Sequence, residues 1–298
     1  MTERLPLKRL SLRAEVAATA ARAPLIRDDD LRHGKSSVQK PLKARPPRKS
    51  LRQTACGGGA QHLRATCHHG GMRPDANPQS WSTQLWETIE PTFAAILAHP
   101  FLTGLTDGGL DDSAFAQYVA QDVHYLRDYA RALTIVAAKA PTLADTAMFS
   151  RHAAEVFDVE LGLHNELLPE LGLDAAALDA TPVTPTTRAY TSYLLATAYG
   201  GGFAEGLAAV LPCYWIYARV GATLLERGSP DRRYQRWIDS YGGEEYADTV
   251  AEVLDLTDRL GPTLSGAEAA AAQAHFAVTA KYEWMFFDAA YRREQWPV

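Results

Sequence analysis

The sequence predicts an all-α fold, one helical domain over residues 78–298 behind a disordered basic extension of residues 1–77. Three observations predict it. Apolar residues from Ser80 onward recur at helical spacing, with no convincing alternation of strand type. Capping residues and glycine clusters punctuate those stretches. Residues 1–77 mix Pro, Gly, Ser and basic side chains and hold few large apolar ones.

Taken in order, "SWSTQLWETIEPTFAAILAH" opens the domain with Ser80 and Ser82 as candidate N-caps, and "PFLTGLTDGG" reads as a glycine-rich turn. Helices follow over about 112–139, 143–171 and 186–199. "GGG" at 200–202 stops the last of these; it follows a helix and lacks the Lys-Ser/Thr of a phosphate-binding loop. A helix over about 203–227 comes next. Another starts near Pro230, is interrupted at "SYGGEEY" and continues to about Leu260, and the last spans about 266–293.

Charge divides the chain. Residues 1–71 carry fifteen Lys/Arg against five Asp/Glu, and residues 72–298 carry fifteen against thirty. An acidic body argues against nucleic acid or an anionic membrane as partner. No run of about 18 apolar residues predicts a membrane span. Two of the three cysteines, Cys56 and Cys67, lie in the basic extension, so the body holds one thiol, which favours a reducing, cytoplasmic setting. Cys56 and the "CHHGG" stretch around Cys67 are weak support for zinc. A transit-like arm is one reading of the extension; a true start at Met72 is the favoured one.

Polar groups interrupt the apolar faces. Asp122 falls among Phe115, Tyr118, Val119, Tyr125, Leu126, Tyr129, Leu133 and Val136. Glu283 falls among Phe276, Ala280, Phe287, Ala290 and Tyr291. A buried carboxylate costs several kcal/mol unless it is hydrogen-bonded or protonated. A free cysteine in an apolar helix is ordinarily a small hydrophobe. Pro212 removes a backbone donor just before Cys213, however, and Tyr217 follows one turn later. With Tyr190, Tyr193 and Tyr241, the set describes an aromatic pocket for a flat, polar heterocycle. Glu160 and His164 in "DVELGLHNE" offer a competing metal site, and with it a non-haem di-iron oxidase or oxygenase. A buried Glu–His hydrogen bond is the simpler reading, because no second helix repeats the motif.

"HPF" at 99–101, "QDVHYL" at 121–126, "AYTSYL" at 189–194, "LPCYWIY" at 211–217, "WIDSYGG" at 237–243 and "KYEWMFFDAAYR" at 281–292 together resemble the cysteine-containing branch of the thiaminase II (TenA) family. The resemblance runs from about Trp81 to Trp296. It implies a haem-oxygenase-like bundle without haem, assembled as a homotetramer and needing no cofactor or metal. It implies hydrolysis of 4-amino-5-aminomethyl-2-methylpyrimidine to the hydroxymethyl pyrimidine and ammonia in thiamin salvage, and cleavage of thiamin at the same methylene. By similarity Cys213 is the nucleophile, Glu283 and Asp122 are the pyrimidine-binding acids, and Tyr190, Tyr217 and Tyr241 support them, Tyr190 and Tyr217 as catalytic groups that hydrogen-bond the thiol or pass a proton to the departing amine. Tyr125 and Phe286 complete the expected substrate-binding set. A non-enzymatic pyrimidine- or thiamin-binding regulator is a third reading, which a Cys213→Ala protein that binds but does not turn over would exclude.

Overall fold

The computed structural model describes residues 79–172 and 180–298, with backbone only for 157–167. Ten α-helices form among the described residues, with no strand. The expected first helix is two. α1 (Trp81–Glu87) starts at Ser80, whose hydroxyl accepts from the Thr83 amide, and α2 (Glu90–Leu97) follows after a two-residue break. Pro91 explains the break, because it has no N–H to bond the carbonyl of Glu87 four residues back.

The expected turn at "PFLTGLTDGG" is instead a helix, α3 (Pro100–Asp107). The signals are local. His99 Nδ1 accepts from the Phe101 amide at 3.1 Å, Pro100 opens the first turn, and Gly108 at φ 75° ends it. Gly104 is tolerated inside the helix because a side chain there would meet the Leu110 backbone at 3.0 Å.

α4 (Asp112–Lys139) is capped by Asp111, and α5 (Leu143–Glu170) and α6 (Pro185–Gly200) follow, α6 capped by Thr184. The "GGG" stop is completed from α4. Lys139 Nζ donates to the carbonyls of Ala198, Tyr199 and Gly201 at 2.6–2.8 Å, where a cation suits the helix C-terminus. α7 (Phe203–Leu225), α8 (Arg232–Gly242) and α9 (Glu244–Leu260) come next. A 3₁₀ turn (Gly261–Thr263) leads to α10 (Gly266–Tyr291), which a Ser265/Glu268 capping box begins.

α7 is the central helix, packed on α10, α8, α6, α9 and α4, while α4 also contacts α5, α6 and α10. Its position corrects one inference from composition. α7 is long and apolar enough to cross a membrane, but 72% of its most apolar window is buried inside the bundle. A helix apolar on all sides is what the middle of a bundle requires. Tyr291 differs from the rest of the expected α10 face, being 41% exposed where α10 ends.

Candidate active site

Six helices bring polar and aromatic side chains together around Cys213. α4 supplies Tyr118, Asp122, Tyr125 and Tyr129, whose three- and four-residue spacing puts them on one face. α6 supplies Tyr190, α7 Cys213 and Tyr217, α8 Trp237 and Tyr241, and α10 Glu283 and Phe286. Tyr246 reaches in from α9.

α7 remains helical through Pro212. Tyrosines from two other helices hold the carbonyls flanking this proline: Tyr129 Oη donates to Val210 O at 3.0 Å, and Tyr246 Oη to Cys213 O at 3.3 Å. The residues on either side of Cys213 are buried, whereas Cys213 itself is only half-buried despite dense surroundings. Cys213 therefore keeps some accessible surface where its neighbours along α7 keep almost none. Two surface grooves, one beside Trp284 and Met285 and one between His124 and Arg188, include none of these site residues.

Glu283 is buried, and Tyr190 Oη donates to its Oε1 at 2.5 Å. Burial raises the Glu283 carboxyl to about 8, and the charge of Asp122 adds to this against the Tyr190 hydrogen bond. At neutral pH this group is mainly an acid. Asp122 is buried too, and its charge acts on Cys213, Tyr217 and Tyr241 as well as on Glu283.

Burial pushes the Cys213 thiol well above its ordinary range, and the charges of Glu283 and Asp122 act the same way. The hydroxyls of Tyr125 and Tyr129 oppose them. Tyr125 lies close enough to ease ionisation of the sulfur, yet its buried hydroxyl makes no bond of full geometry. Trp237 Nε1 is likewise buried without an acceptor. Two unmatched donors in one aromatic cluster provide hydrogen bonds for a polar guest.

Aromatic rings build the walls. Tyr125 lies 5.0 Å from Tyr190 and 5.6 Å from Phe286, and Tyr241 lies 4.8 Å from Tyr217 and 4.9 Å from Trp237, centroid to centroid. A glycine sets the Tyr241 wall. A side chain at Gly221 would meet the backbone carbon of Tyr241 at 2.4 Å, so only glycine lets α8 approach α7 this closely.

The structure thus brings Cys213, Glu283, Asp122, Tyr125, Tyr190, Tyr217, Tyr241 and Phe286 into one neighbourhood. It distributes the tyrosines differently from expectation. The hydroxyls bearing on the sulfur are those of Tyr125 and Tyr129, whereas Tyr217 Oη accepts from Tyr118 Oη at 3.1 Å and Tyr190 serves Glu283. Tyr193 turns away from the cluster, toward His275 Nδ1 at 2.7 Å. Tyr246, Trp237, Tyr118 and Tyr129 were not expected site members. For Tyr118 and Tyr129 the signal was present, since both share the face of Asp122.

The side chains of Glu160 and His164 lie outside the described residues, as do Cys56 and Cys67. Among the described residues no group of three His, Cys, Asp or Glu side chains is placed to hold a metal ion.

Comparison with known proteins bears on the family and the fold. An aminopyrimidine aminohydrolase of Bacillus subtilis (strain 168) is 36% identical over 198 residues, covering 66% of this chain and 84% of that relative. A solved TenA homologue from P. horikoshii OT3 superposes with a TM-score of 0.65 at 30% identity, covering 72% of this chain and 99% of that one. A Shewanella denitrificans OS217 domain described as having a heme oxygenase-like fold shares the fold alone, with a TM-score of 0.58 at 16% identity, covering 71% of this chain and 92% of that one. The profile of the TENA/THI-4/PQQC family matches residues 86–293. With motifs, fold and match in agreement over the whole helical body, the chain belongs to the TENA/THI-4/PQQC family as a thiaminase II (TenA) type member.

Proposed function

We propose that this chain is an aminopyrimidine aminohydrolase that converts 4-amino-5-aminomethyl-2-methylpyrimidine to the hydroxymethyl pyrimidine and ammonia. The observation that carries the reading is the pairing of a lone thiol with a buried carboxyl held protonated to about 8 in one aromatic cluster.

Direct displacement at the methylene is slow because the amine is a poor leaving group. In the proposed route the sulfur of Cys213 bonds to the ring carbon beside the ring nitrogen and loses its proton. Glu283 gives its proton to that nitrogen. The aminomethyl group, bound as its ammonium, leaves as ammonia with the pair of its carbon–nitrogen bond, while the pair gained by the ring forms an exocyclic methylene. Water adds its hydroxyl there and releases its other proton to solvent, which replaces the proton the amine took up; the carbon–sulfur bond then breaks, the sulfur regains a proton, and the nitrogen-bound proton returns to Glu283. Tyr190 occupies Oε1 of Glu283, so Oε2 is the oxygen that carries the acid proton. Asp122 accepts from the 4-amino group, and Tyr125, Tyr241 and Phe286 sandwich and orient the ring. Thiamin presents the same ring and methylene, and its cleavage to pyrimidine and thiazole follows the same steps. A homotetramer in the cytoplasm belongs to the same proposal and is read out by light scattering and cell fractionation.

The test is ammonia release from the aminomethylpyrimidine. Cys213→Ser is expected to lower turnover by about a thousandfold or more while keeping ligand affinity. Undiminished turnover in that variant overturns the proposal.

A further inference from the structure

Tyr190 holds Oε1 of Glu283 through one hydroxyl at the far end of a long side chain. A small tilt of its ring displaces that hydroxyl widely, so the bond is only as well aimed as the ring is held. Two rings pack on it. Tyr125 lies 5.0 Å away, tilted by 38°, and Tyr282 on α10 lies 5.0 Å away and parallel to within 8°. Tyr282 immediately precedes Glu283, so one turn of α10 carries both the carboxyl and a ring stacked on its hydrogen-bond donor.

Tyr282 is only half-buried and is held in turn from its outer side. Tyr193, one turn after Tyr190 on α6, packs its ring 5.7 Å from that of Tyr282. Tyr193 Oη lies 2.7 Å from His275 Nδ1, and His275 Nε2 stands 3.4 Å from Oε1 of Glu205 on α7. The Gly202 amide donates to the other oxygen of Glu205 at 2.7 Å, which fixes the carboxylate at the start of its helix. The carboxylate beside Nε2 favours the tautomer protonated there, and this leaves Nδ1 to accept from Tyr193. None of these groups takes part in a step of the proposed reaction.

We propose that Tyr282 is a positioning residue for the acid: stacked on Tyr190 and anchored through Tyr193, His275 and Glu205, it fixes the phenol that holds Glu283. The inference rests on the reading of Glu283 as the proton donor. With Oε1 occupied by a donor that cannot swing, Oε2 keeps one direction, toward the ring nitrogen it protonates. The three helices that supply the anchor, α6, α7 and α10, also supply Tyr190, Cys213 and Glu283, so the outer contacts register the same elements as the inner site. Stacking uses the ring of Tyr282 and not its hydroxyl, which separates this role from that of a proton carrier.

The experiment is kcat and KM for ammonia release in wild type, Tyr282→Leu, Tyr282→Phe, Tyr193→Phe, Tyr190→Phe and the Tyr190→Phe/Tyr282→Leu pair, with thermal melts to verify folding. Tyr282→Leu is expected to lower kcat about tenfold at unchanged KM, and Tyr282→Phe to stay within about twofold of wild type. Once the Tyr190 hydroxyl is gone there is nothing left to aim, so adding Tyr282→Leu to Tyr190→Phe is expected to cost less than about twofold more. Tyr193→Phe cuts the anchor while leaving every ring in place. A loss of about threefold in kcat is expected, and this variant decides the matter if Tyr282→Leu does not fold. Wild-type kcat in folded Tyr282→Leu or in Tyr193→Phe overturns the positioning role and leaves Glu283 as the acid. So does an equal loss from Tyr282→Leu with and without the Tyr190 hydroxyl, or a Tyr282→Phe as impaired as Tyr282→Leu. Undiminished turnover in Glu283→Gln overturns both readings.

Discussion

Gln121 and Asp122 are adjacent in α4, both buried, and serve opposite ends. Gln121 points to the segment before α6, where its Nε2 donates to Pro182 O and its Oε1 accepts from the Thr184 amide, both at 2.9 Å. Thr184 in turn caps α6, so the amide fastens one helix start to the middle of another. Asp122 points to the other side, where its charge adds to the burden on Glu283 and Cys213. Burial of a polar group therefore does not by itself mark a functional position. A buried group with its donors and acceptors matched contributes to stability. Around Glu283, a carboxyl held as an acid and the unmatched donors of Tyr125 and Trp237 are kept at a cost, in the one place where chemistry needs them.

The contrast is broken most sharply at Glu283. Glu283→Gln is expected to lower kcat about a hundredfold or more. It is also expected to stabilise the protein at pH 8. The folded carboxyl keeps its proton up to about 8, whereas the unfolded one releases it near 4.5. Between those values the unfolded state binds fewer protons, so wild-type stability falls as pH rises. Glutamine removes that loss, a gain on the order of 4 kcal/mol at pH 8 that disappears below about pH 4.5. Melting curves across pH check this, and equal stabilities of the two proteins at pH 8 would contradict the assigned burial.

Gly221→Ala sharpens the contrast from the wall side. Its methyl meets Tyr241 and Gly242 backbone atoms at 2.4–2.6 Å, so α8 must retreat. A loss of about 2–3 kcal/mol in stability is expected, with a raised KM as Tyr241 moves off the ring. Denaturant titration and steady-state kinetics read the two effects separately.

Gln121→Ala is expected to give the smallest effect, about 2 kcal/mol of stability, because the Thr184 amide and the Pro182 carbonyl lose their partner. Its kcat is expected to stay within about twofold of wild type. A large loss of kcat would mean that the two faces of α4 are not independent.

Much of this site was legible as a pattern. An aspartate and a glutamate on otherwise apolar faces identified Asp122 and Glu283, and the motifs identified Cys213, Tyr190, Tyr217 and Tyr241. The tyrosine partners were not legible. Hydroxyls from different helices compete for the same acceptors, and which one reaches the sulfur depends on helix rotation and crossing. Tyr246 illustrates the limit: the "SYGGEEY" interruption gives no indication that the tyrosine closing it will bond the Cys213 carbonyl. α3 was missed for a different reason, since its glycines resemble a turn until the His99 cap and the close approach of Leu110 are seen.

The sequence by itself determined most of the helices and their ends and the residue types of the site, because periodicity, caps and breakers act over a few residues. The tertiary structure alone decided that α7 lies inside the bundle, that Glu283 holds its proton to about 8 and that Tyr282 stacks on Tyr190. These depend on desolvation and on contacts between helices far apart in the chain, and no local pattern encodes how much water a side chain keeps.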